Sequence, residues 1–147
     1  MNKVSVTSTH GLRQEIEAGK HRLVADEPGA LGGTDTGPTP YQLLLSALGA
    51  CVSITIRLYA DRKGWDVDEI RVDLEHDRVR AEQCSDSRTA EGHVDRIQKR
   101  ITLTGDLTEE QLERLLVVSR RCPVNQTLQR EVHIVDSIEL EATPTRP

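Results

Sequence analysis

The sequence predicts an α+β fold, in which a mostly antiparallel sheet of about six strands packs against a long central helix and a second helix pair. Three observations predict it. No charged residue occurs between Asp35 and Arg57, although 29% of the chain is charged, and a long uncharged segment at helical spacing is typical of a core helix. Segments of alternating apolar and polar residues lie on both sides of it. Helix-start signals then recur near Thr108 and Pro123.

Length and composition limit the classes of protein that fit. The 147 residues contain no Gly/Ser/Pro-rich linker, so we expect a single domain over residues 1–147, with residues 142–147 a frayed tail. The net charge of -5 and the lack of a dense basic block argue against a nucleic-acid partner. The chain starts without a secretory signal, and its uncharged run is interrupted by polar residues. We therefore expect no membrane association and a cytoplasmic location.

The first strands are short. Val4 and Val6 alternate with polar neighbours, and residues 12–17 and 20–25 predict a hairpin across Ala18-Gly19. A loop rich in glycine and proline follows over residues 26–40.

The long helix is predicted over residues 39–63. Thr39 supplies its start, Pro40 suits the first helical position, and Gly64 is a natural C-terminal cap. Apolar residues cover it nearly all round, which is typical of a buried helix. One small sheet offers too little cover for such a helix, so we predict a dimer that sandwiches the helices between two sheets.

Alternation predicts two more strands, near residues 70–75 and 97–104, separated by a polar excursion over 81–92. A last strand is predicted over residues 132–140.

Between these last strands lies the predicted helix pair. A capping box of Thr108 and Gln111 starts the first of the two helices. Pro123 stops it, and a short helix can then begin with Cys122 as its N-cap.

Three cysteines are the candidates for chemistry. Cys51 lies within the long helix, where a buried cysteine is most simply a small apolar residue. Cys122 at a helix N-cap faces unpaired N–H groups, which favour thiolate, and Arg120 and Arg121 could add to this. The alternative is that it only caps a turn. Cys84 is interpreted as an incidental exposed thiol.

A metal site is not expected. His76, Cys84 and His93 match no zinc spacing. The glycines near residues 29–33 lack the Gly-Lys-Ser/Thr ending of a phosphate loop, so a flexible lid is favoured. We predict neither a metal nor a cofactor.

Two motifs each surround one of the candidate cysteines. The first is the run Gly37-Pro38-Thr39-Pro40-Tyr41-Gln42-Leu43-Leu44-Leu45 through Gly49-Ala50-Cys51, and the second is Arg121-Cys122-Pro123-Val124-Asn125-Gln126-Thr127-Leu128. Together they resemble the OsmC/Ohr family. The resemblance extends over about residues 20–140, and the two cysteine motifs in this order are specific.

The resemblance implies an OsmC-like fold, an intertwined homodimer and a cysteine-based peroxidase active in oxidative or osmotic stress. Cys51 corresponds to the family's attacking thiol and Cys122 to its resolving thiol. In the implied cycle a hydroperoxide oxidises Cys51 to a sulfenic acid, and a Cys51–Cys122 disulfide then forms. An external dithiol, such as one of the lipoyl type, reduces this disulfide and completes the cycle. Organic hydroperoxides are the implied substrates.

The chain departs from the Ohr branch around the attacking cysteine. That branch holds an N-terminal arginine with a glutamate ten residues before the cysteine, where this chain has Tyr41, followed by Gln42. Arg13 and Arg22 are both candidates for the arginine. Asn125 stands where histidine or serine is common in the family. These departures indicate the broader OsmC-like branch.

A second hypothesis stays open. The protein could be a non-catalytic dimer that binds a small apolar ligand, with structural or redox-sensing cysteines. The missing carboxylate at Tyr41 motivates this alternative.

Overall fold

The computed structural model describes residues 2–85, 87–89 and 91–140. Within these ranges the chain forms five β-strands, three α-helices and two single 3₁₀ turns. In chain order they are β1 (Val4–Thr7), β2 (Gln14–Ala18), β3 (His21–Ala25), a 3₁₀ turn (Gly29–Leu31), α1 (Pro40–Lys63), β4 (Glu69–Arg80), a second 3₁₀ turn (Ala81–Gln83), β5 (His93–Thr104), α2 (Glu109–Ser119) and α3 (Pro123–Gln129). The predicted α+β fold is confirmed, with five strands in place of about six.

The strands form two separate antiparallel sheets within one chain. One has the order β1-β2-β3, and the other is the long hairpin of β4 and β5. The register of the hairpin places Leu74 opposite Lys99 and His76 opposite Ile97. The inner face of the hairpin packs on α1, since Ile70, Leu74 and Ile101 contact the core around that helix.

The predicted last strand is absent from the single chain. Residues 131–140 are described without secondary structure, and their apolar side chains point into solvent. Ile138 and Leu140 are 98% and 99% exposed. The alternation that predicted a strand is present, but no strand of the same chain pairs with it. The predicted tail over residues 142–147 lies outside the described residues.

Local signals set both ends of α1. The Thr39 side chain accepts a hydrogen bond from the Gln42 N–H at 3.3 Å, and the Gln42 side chain accepts one from the Thr39 N–H at 2.9 Å. This capping box satisfies two N–H groups that the first turn leaves free. At the other end Gly64 adopts φ 65°, a left-handed conformation that costs glycine little. The predicted helix bounds are confirmed.

Only one stripe of α1 is buried in the single chain. Leu48, Val52, Ile56 and Ala60 follow one another at four-residue spacing and are 0–3% exposed. On the other side Ile54 and Leu58 are 59% and 58% exposed. The sheets and the helix pair of one chain therefore reach only one side of α1, which is the incomplete cover that the sequence predicts for one small sheet.

Among the described residues α1 is the one helix long and apolar enough, by length and composition, to span a membrane. The core helix of a soluble protein meets the same criterion.

The helix pair forms as predicted. The capping box of Thr108 and Gln111 starts α2, and Cys122 is the N-cap of α3 with Pro123 at the first helical position. α2 is held on α1 by the Arg114 guanidinium, which donates to the Tyr59 hydroxyl at 3.0 Å. The helix pair thereby brings Cys122 to the buried stripe of α1.

A buried carboxylate organises the loop between β3 and α1. Asp26 is 1% exposed, and its oxygens accept hydrogen bonds from the backbone N–H groups of Glu27, Thr34 and Thr36 and from the hydroxyls of both threonines. Hydrogen bonds from Thr34 above all, together with those from Thr36 and Glu27, hold the pKa of Asp26 well below its usual range, despite burial. At Gly33 an added Cβ would lie 1.8 Å from the Glu27 carbonyl oxygen, so only glycine fits this fold of the loop.

We expect Asp26→Asn to lower the free energy of unfolding at neutral pH, because the amide cannot accept the same set of N–H and O–H donors. A carboxyl whose folded pKa is lowered stabilises the protein above its unfolded pKa of about 3.9, and that contribution is lost as the pH falls. The difference from the native protein should therefore shrink below about pH 4. Urea denaturation at a series of pH values measures it. Asp35→Asn, at an exposed position of the same loop, is the control, and an equal loss there would contradict the prediction.

Candidate active site

Cys122 lies at the centre of the core. Its side chain is fully buried and belongs to the same cluster as Leu48, Val52 and Leu115. The sulfur accepts a hydrogen bond from the Asn125 N–H at 3.3 Å. This bond is the N-cap contact of α3, as the sequence predicted.

Cys51 meets it from α1. It is partly buried and packs against the cluster that contains Cys122. It lies close enough to Cys122 to contribute to the raised pKa of that thiol. Both cysteines are free thiols. The fold thus brings together two cysteines that the sequence separates widely, as a redox pair requires.

The pKa of Cys122 is raised, contrary to the expectation that its N-cap position favours thiolate. Burial is the largest cause, and the neighbouring Cys51 acts in the same direction. The Asn125 N–H and the Lys99 ammonium lower the pKa without overcoming burial. Arg120 and Arg121 contribute their carbonyl oxygens here, which accept from the side chains of Asn125 and Gln126.

Lys99 is a residue that the sequence reasoning missed. It occupies the inner face of β5, in alternation with Ile97 and Ile101, which pack on the core. Its ammonium donates to the Asn125 side-chain oxygen at 3.5 Å. Burial, together with the charge of Arg120, lowers the pKa of Lys99, and the charge of Cys122 opposes this. The signal in the sequence was a lysine at a position between Ile97 and Ile101 where the alternating pattern calls for an apolar residue.

A pocket of about 350 Å³ lies between β5 and α3, and its lining includes neither Cys51 nor Cys122. Asn125 and Lys99 line it together with Leu48, one turn of α1 before Cys51. Cys84 lines the same pocket and is partly buried. The interpretation of Cys84 as an exposed thiol therefore overestimated its exposure. The long β4–β5 hairpin carries this cysteine back over the core.

The other predicted site residues have structural contacts away from the cysteines in the single chain. Arg13 donates to the Thr36 hydroxyl at 3.2 Å. Arg22 pairs with Glu17 at 2.7 Å and is highly exposed. No hydrogen bond or ion pair among the described residues joins either arginine to Cys51.

Tyr41 and Gln42, at the position of the missing carboxylate, belong to the start of α1. The Tyr41 ring stacks on His76, with ring centroids 4.5 Å apart. His76 also contacts the Asp95 carboxylate at 2.9 Å. Gln42 completes the capping box. Both side chains therefore fix the helix start.

The residues considered for a metal site are dispersed. Within the described part of the chain no group of three His, Cys, Asp or Glu side chains could hold a metal ion. His76 instead makes the aromatic and carboxylate contacts described above.

A long helix, two antiparallel sheets, a fully buried Cys122 and a partly buried Cys51 beside it define a class of small α+β proteins with two neighbouring thiols. The OsmC-like protein family matches residues 33–135, which is more than half of the chain, and the protein belongs to this family. No curated protein matches the chain significantly.

Solved structures share the fold. An OsmC-like protein from Mycoplasma pneumoniae has a TM-score of 0.70 at 21% identity, over 88% of this chain and 87% of that one. A Legionella pneumophila protein described as an organic hydroperoxide resistance protein OsmC and predicted redox protein has a TM-score of 0.63 at 18% identity, over 88% and 89%. The organic hydroperoxide resistance protein OhrB of Bacillus subtilis has a TM-score of 0.60 at 19% identity, over 88% and 90%.

Proposed function

We propose that this protein is a thiol-dependent peroxidase that reduces organic hydroperoxides in a stress response. The observation that carries the proposal is the proximity of two free thiols from different elements, since the partly buried Cys51 packs against the core cluster that contains Cys122. Membership of the OsmC-like family supports it. So do the names of two structural neighbours, which describe organic hydroperoxide resistance.

Cys51 is the attacking thiol in this proposal. It is only partly buried, whereas Cys122 is fully buried and has a raised pKa. A peroxide can therefore approach Cys51 more easily, and Cys122 is the poorer thiolate at rest. The Cys51 thiolate attacks the terminal oxygen of the hydroperoxide, the O–O bond breaks, and the alkoxide takes up a proton to leave as an alcohol. Cys51 is then a sulfenic acid.

Cys122 resolves the sulfenic acid. Its thiolate attacks the Cys51 sulfur, an S–S bond forms, and the S–O bond breaks to release hydroxide, which becomes water on protonation. An external dithiol, such as one of the lipoyl type, reduces the Cys51–Cys122 disulfide in two thiol–disulfide exchange steps. The external dithiol is itself oxidised to a disulfide and dissociates. The site needs no bound cofactor for this cycle.

We expect Cys51→Ser to abolish hydroperoxide turnover, because no other thiol takes its place beside Cys122. Cys122→Ser should leave a Cys51 sulfenic acid that further peroxide converts to sulfinic acid. Mass spectrometry after one equivalent of cumene hydroperoxide should show a Cys51–Cys122 disulfide in the native protein.

Cys84→Ser is the matched control for these variants, since it makes the same change at the third cysteine, and it should retain turnover. Persistent turnover in Cys51→Ser would contradict the assignment of the attacking thiol.

We further propose that the working form is an intertwined homodimer. Three features support it: the two sheets stay separate in one chain, one face of α1 with Ile54 and Leu58 is exposed, and residues 131–140 expose alternating apolar side chains without secondary structure. A second copy could cover the helix face and accept the last segment as an added strand. Burial of these side chains at about 25 cal/mol per Å² would stabilise the assembly.

We expect Ile54→Lys to shift the protein from dimer to monomer in sedimentation velocity, because a lysine there is harmless in solvent but costly in an apolar interface. Gln98→Lys, on the exposed outer face of β5, is the control and should sediment as the native protein does. A native protein that sediments as a monomer at micromolar concentration would contradict the dimer.

A binding protein remains the second candidate, because an uncharged groove of about 600 Å³ runs between α1 and β4. The residues lining it include Gln42, Leu45 and Ile70. Native mass spectrometry separates the candidates: an apolar ligand retained through purification, with thiols inert to hydroperoxide, would favour binding over catalysis.

A further inference from the structure

Lys99 stands in a place where a lysine is costly. The apolar residues on the inner face of β5 are Ile97, Ile101 and Leu103, which are partly buried and pack on the core. A charged group that is withdrawn from water destabilises the fold unless it is paired. None of the ion pairs among the described residues includes Lys99.

Hydrogen bonds connect the Lys99 ammonium to Cys122 through Asn125. It donates to the Asn125 side-chain oxygen at 3.5 Å. The same asparagine donates its side-chain NH₂ to the Arg120 carbonyl at 3.0 Å and its backbone N–H to the Cys122 sulfur at 3.3 Å. Asn125 is 9% exposed, so the end of this connection at Cys122 is buried, whereas Lys99 itself is partly buried.

A Cys122 thiolate can supply the negative charge that would pair with the Lys99 ammonium. A thiolate there is the acidic group that acts on the pKa of Lys99, and Lys99 in turn lowers the pKa of Cys122. The outer face of the hairpin carries Asp73 and Glu75, which flank the pair of Leu74 and Lys99 on the opposite side of the sheet. Cys122 thus faces Cys51 from α1, Lys99 from β5 and the N–H of Asn125 from its own helix.

We propose that Lys99 is a positioning residue: it holds Asn125 and stabilises the Cys122 thiolate in the resolving half of the cycle. This inference rests on the proposed peroxidase function for its place in the cycle. When Cys51 is a sulfenic acid, its negative charge is gone, and Lys99 favours release of the Cys122 proton. The thiolate then attacks the Cys51 sulfur, the S–S bond forms, and hydroxide leaves as the S–O bond breaks. When the external dithiol attacks Cys51 in the disulfide, Cys122 departs as a thiolate and meets the same cation.

The first test measures Cys122 alone, in a Cys51→Ser, Cys84→Ser background where it is the one remaining thiol. Thiolate absorbance at 240 nm is followed against pH in this protein and in the same protein with Lys99→Met. We expect Lys99→Met to raise the midpoint by about one pH unit, equal to a tenfold smaller thiolate fraction below the midpoint. Lys99→Arg should restore most of the shift, since it returns the charge. Lys20→Met, in the exposed turn before β3, is the matched control and should leave the midpoint unchanged.

The second test measures the resolving step. After one equivalent of cumene hydroperoxide, the sulfenic acid on Cys51 is trapped with dimedone at successive times and quantified by mass spectrometry. We expect Lys99→Met to prolong the life of the sulfenic acid roughly tenfold and to leave the rate of its formation unchanged. In a Cys122→Ser background Lys99→Met should have no further effect.

The outcomes separate the two proposals. If the native protein forms no sulfenic acid and no disulfide, the peroxidase function fails, and the 240 nm titration still decides whether Lys99 acts on Cys122. An unchanged midpoint in Lys99→Met would overturn the role of Lys99, whatever the activity. A purely structural role predicts that Lys99→Met destabilises the fold, whereas we expect methionine on this apolar face to maintain or raise the urea midpoint.

Discussion

The buried stripe of α1 is the contact on which both the fold and the candidate site depend. Val52 and Ile56 are fully buried, and they pack in one cluster with Leu115 of α2 and Cys122 of the turn before α3. Removing such a side chain costs about 2–5 kcal/mol for an isoleucine truncated to alanine. The same packing that stabilises the domain therefore sets the position of Cys122 relative to Cys51, so the thiol pair forms when the core forms and needs no ligand to assemble it.

Two opposing effects meet at Cys122, and their magnitudes explain its raised pKa. A helix N-terminus stabilises an anion by about 0.3–1 kcal/mol, less than one pKa unit, and α3 has only seven residues. Burial can raise the pKa of an acid by up to about 3–5 units. Cys122 is fully buried, so burial wins at rest. A cation at the inner face of β5 opposes burial, and in the proposed cycle it favours release of the Cys122 proton once Cys51 has become a sulfenic acid.

The sequence predicted what is encoded locally and missed what depends on depth in the fold. The ends of α1 and α2 follow from capping boxes and from Gly64, and the N-cap position of Cys122 follows from Pro123. Whether solvent reaches that N-cap depends on the tertiary structure. The sequence-based expectation of a lowered pKa for Cys122 was therefore wrong, because the residue is buried. Lys99 could have been found, because a lysine in register with Ile97 and Ile101 breaks the apolar alternation. The pairing of Cys51 with Cys122 came from resemblance, since no local pattern brings such distant residues together.

The exposed surfaces of the single chain bear on the attacking thiol as well as on assembly. Cys51 lies on α1 at the border of the buried stripe, three residues before the exposed Ile54. Within the described residues Lys99 acts on Cys122, and the two candidate arginines contact Thr36 and Glu17. A cation that faces Cys51 from its exposed side would therefore have to come with whatever covers that side of α1. In an intertwined dimer the covering element is a second copy of this chain, which carries Arg22 in its own β3 and Arg13 just before its own β2. Burial of the apolar helix face and activation of the thiol would then be consequences of one association, and a variant that weakens the interface would lose both together.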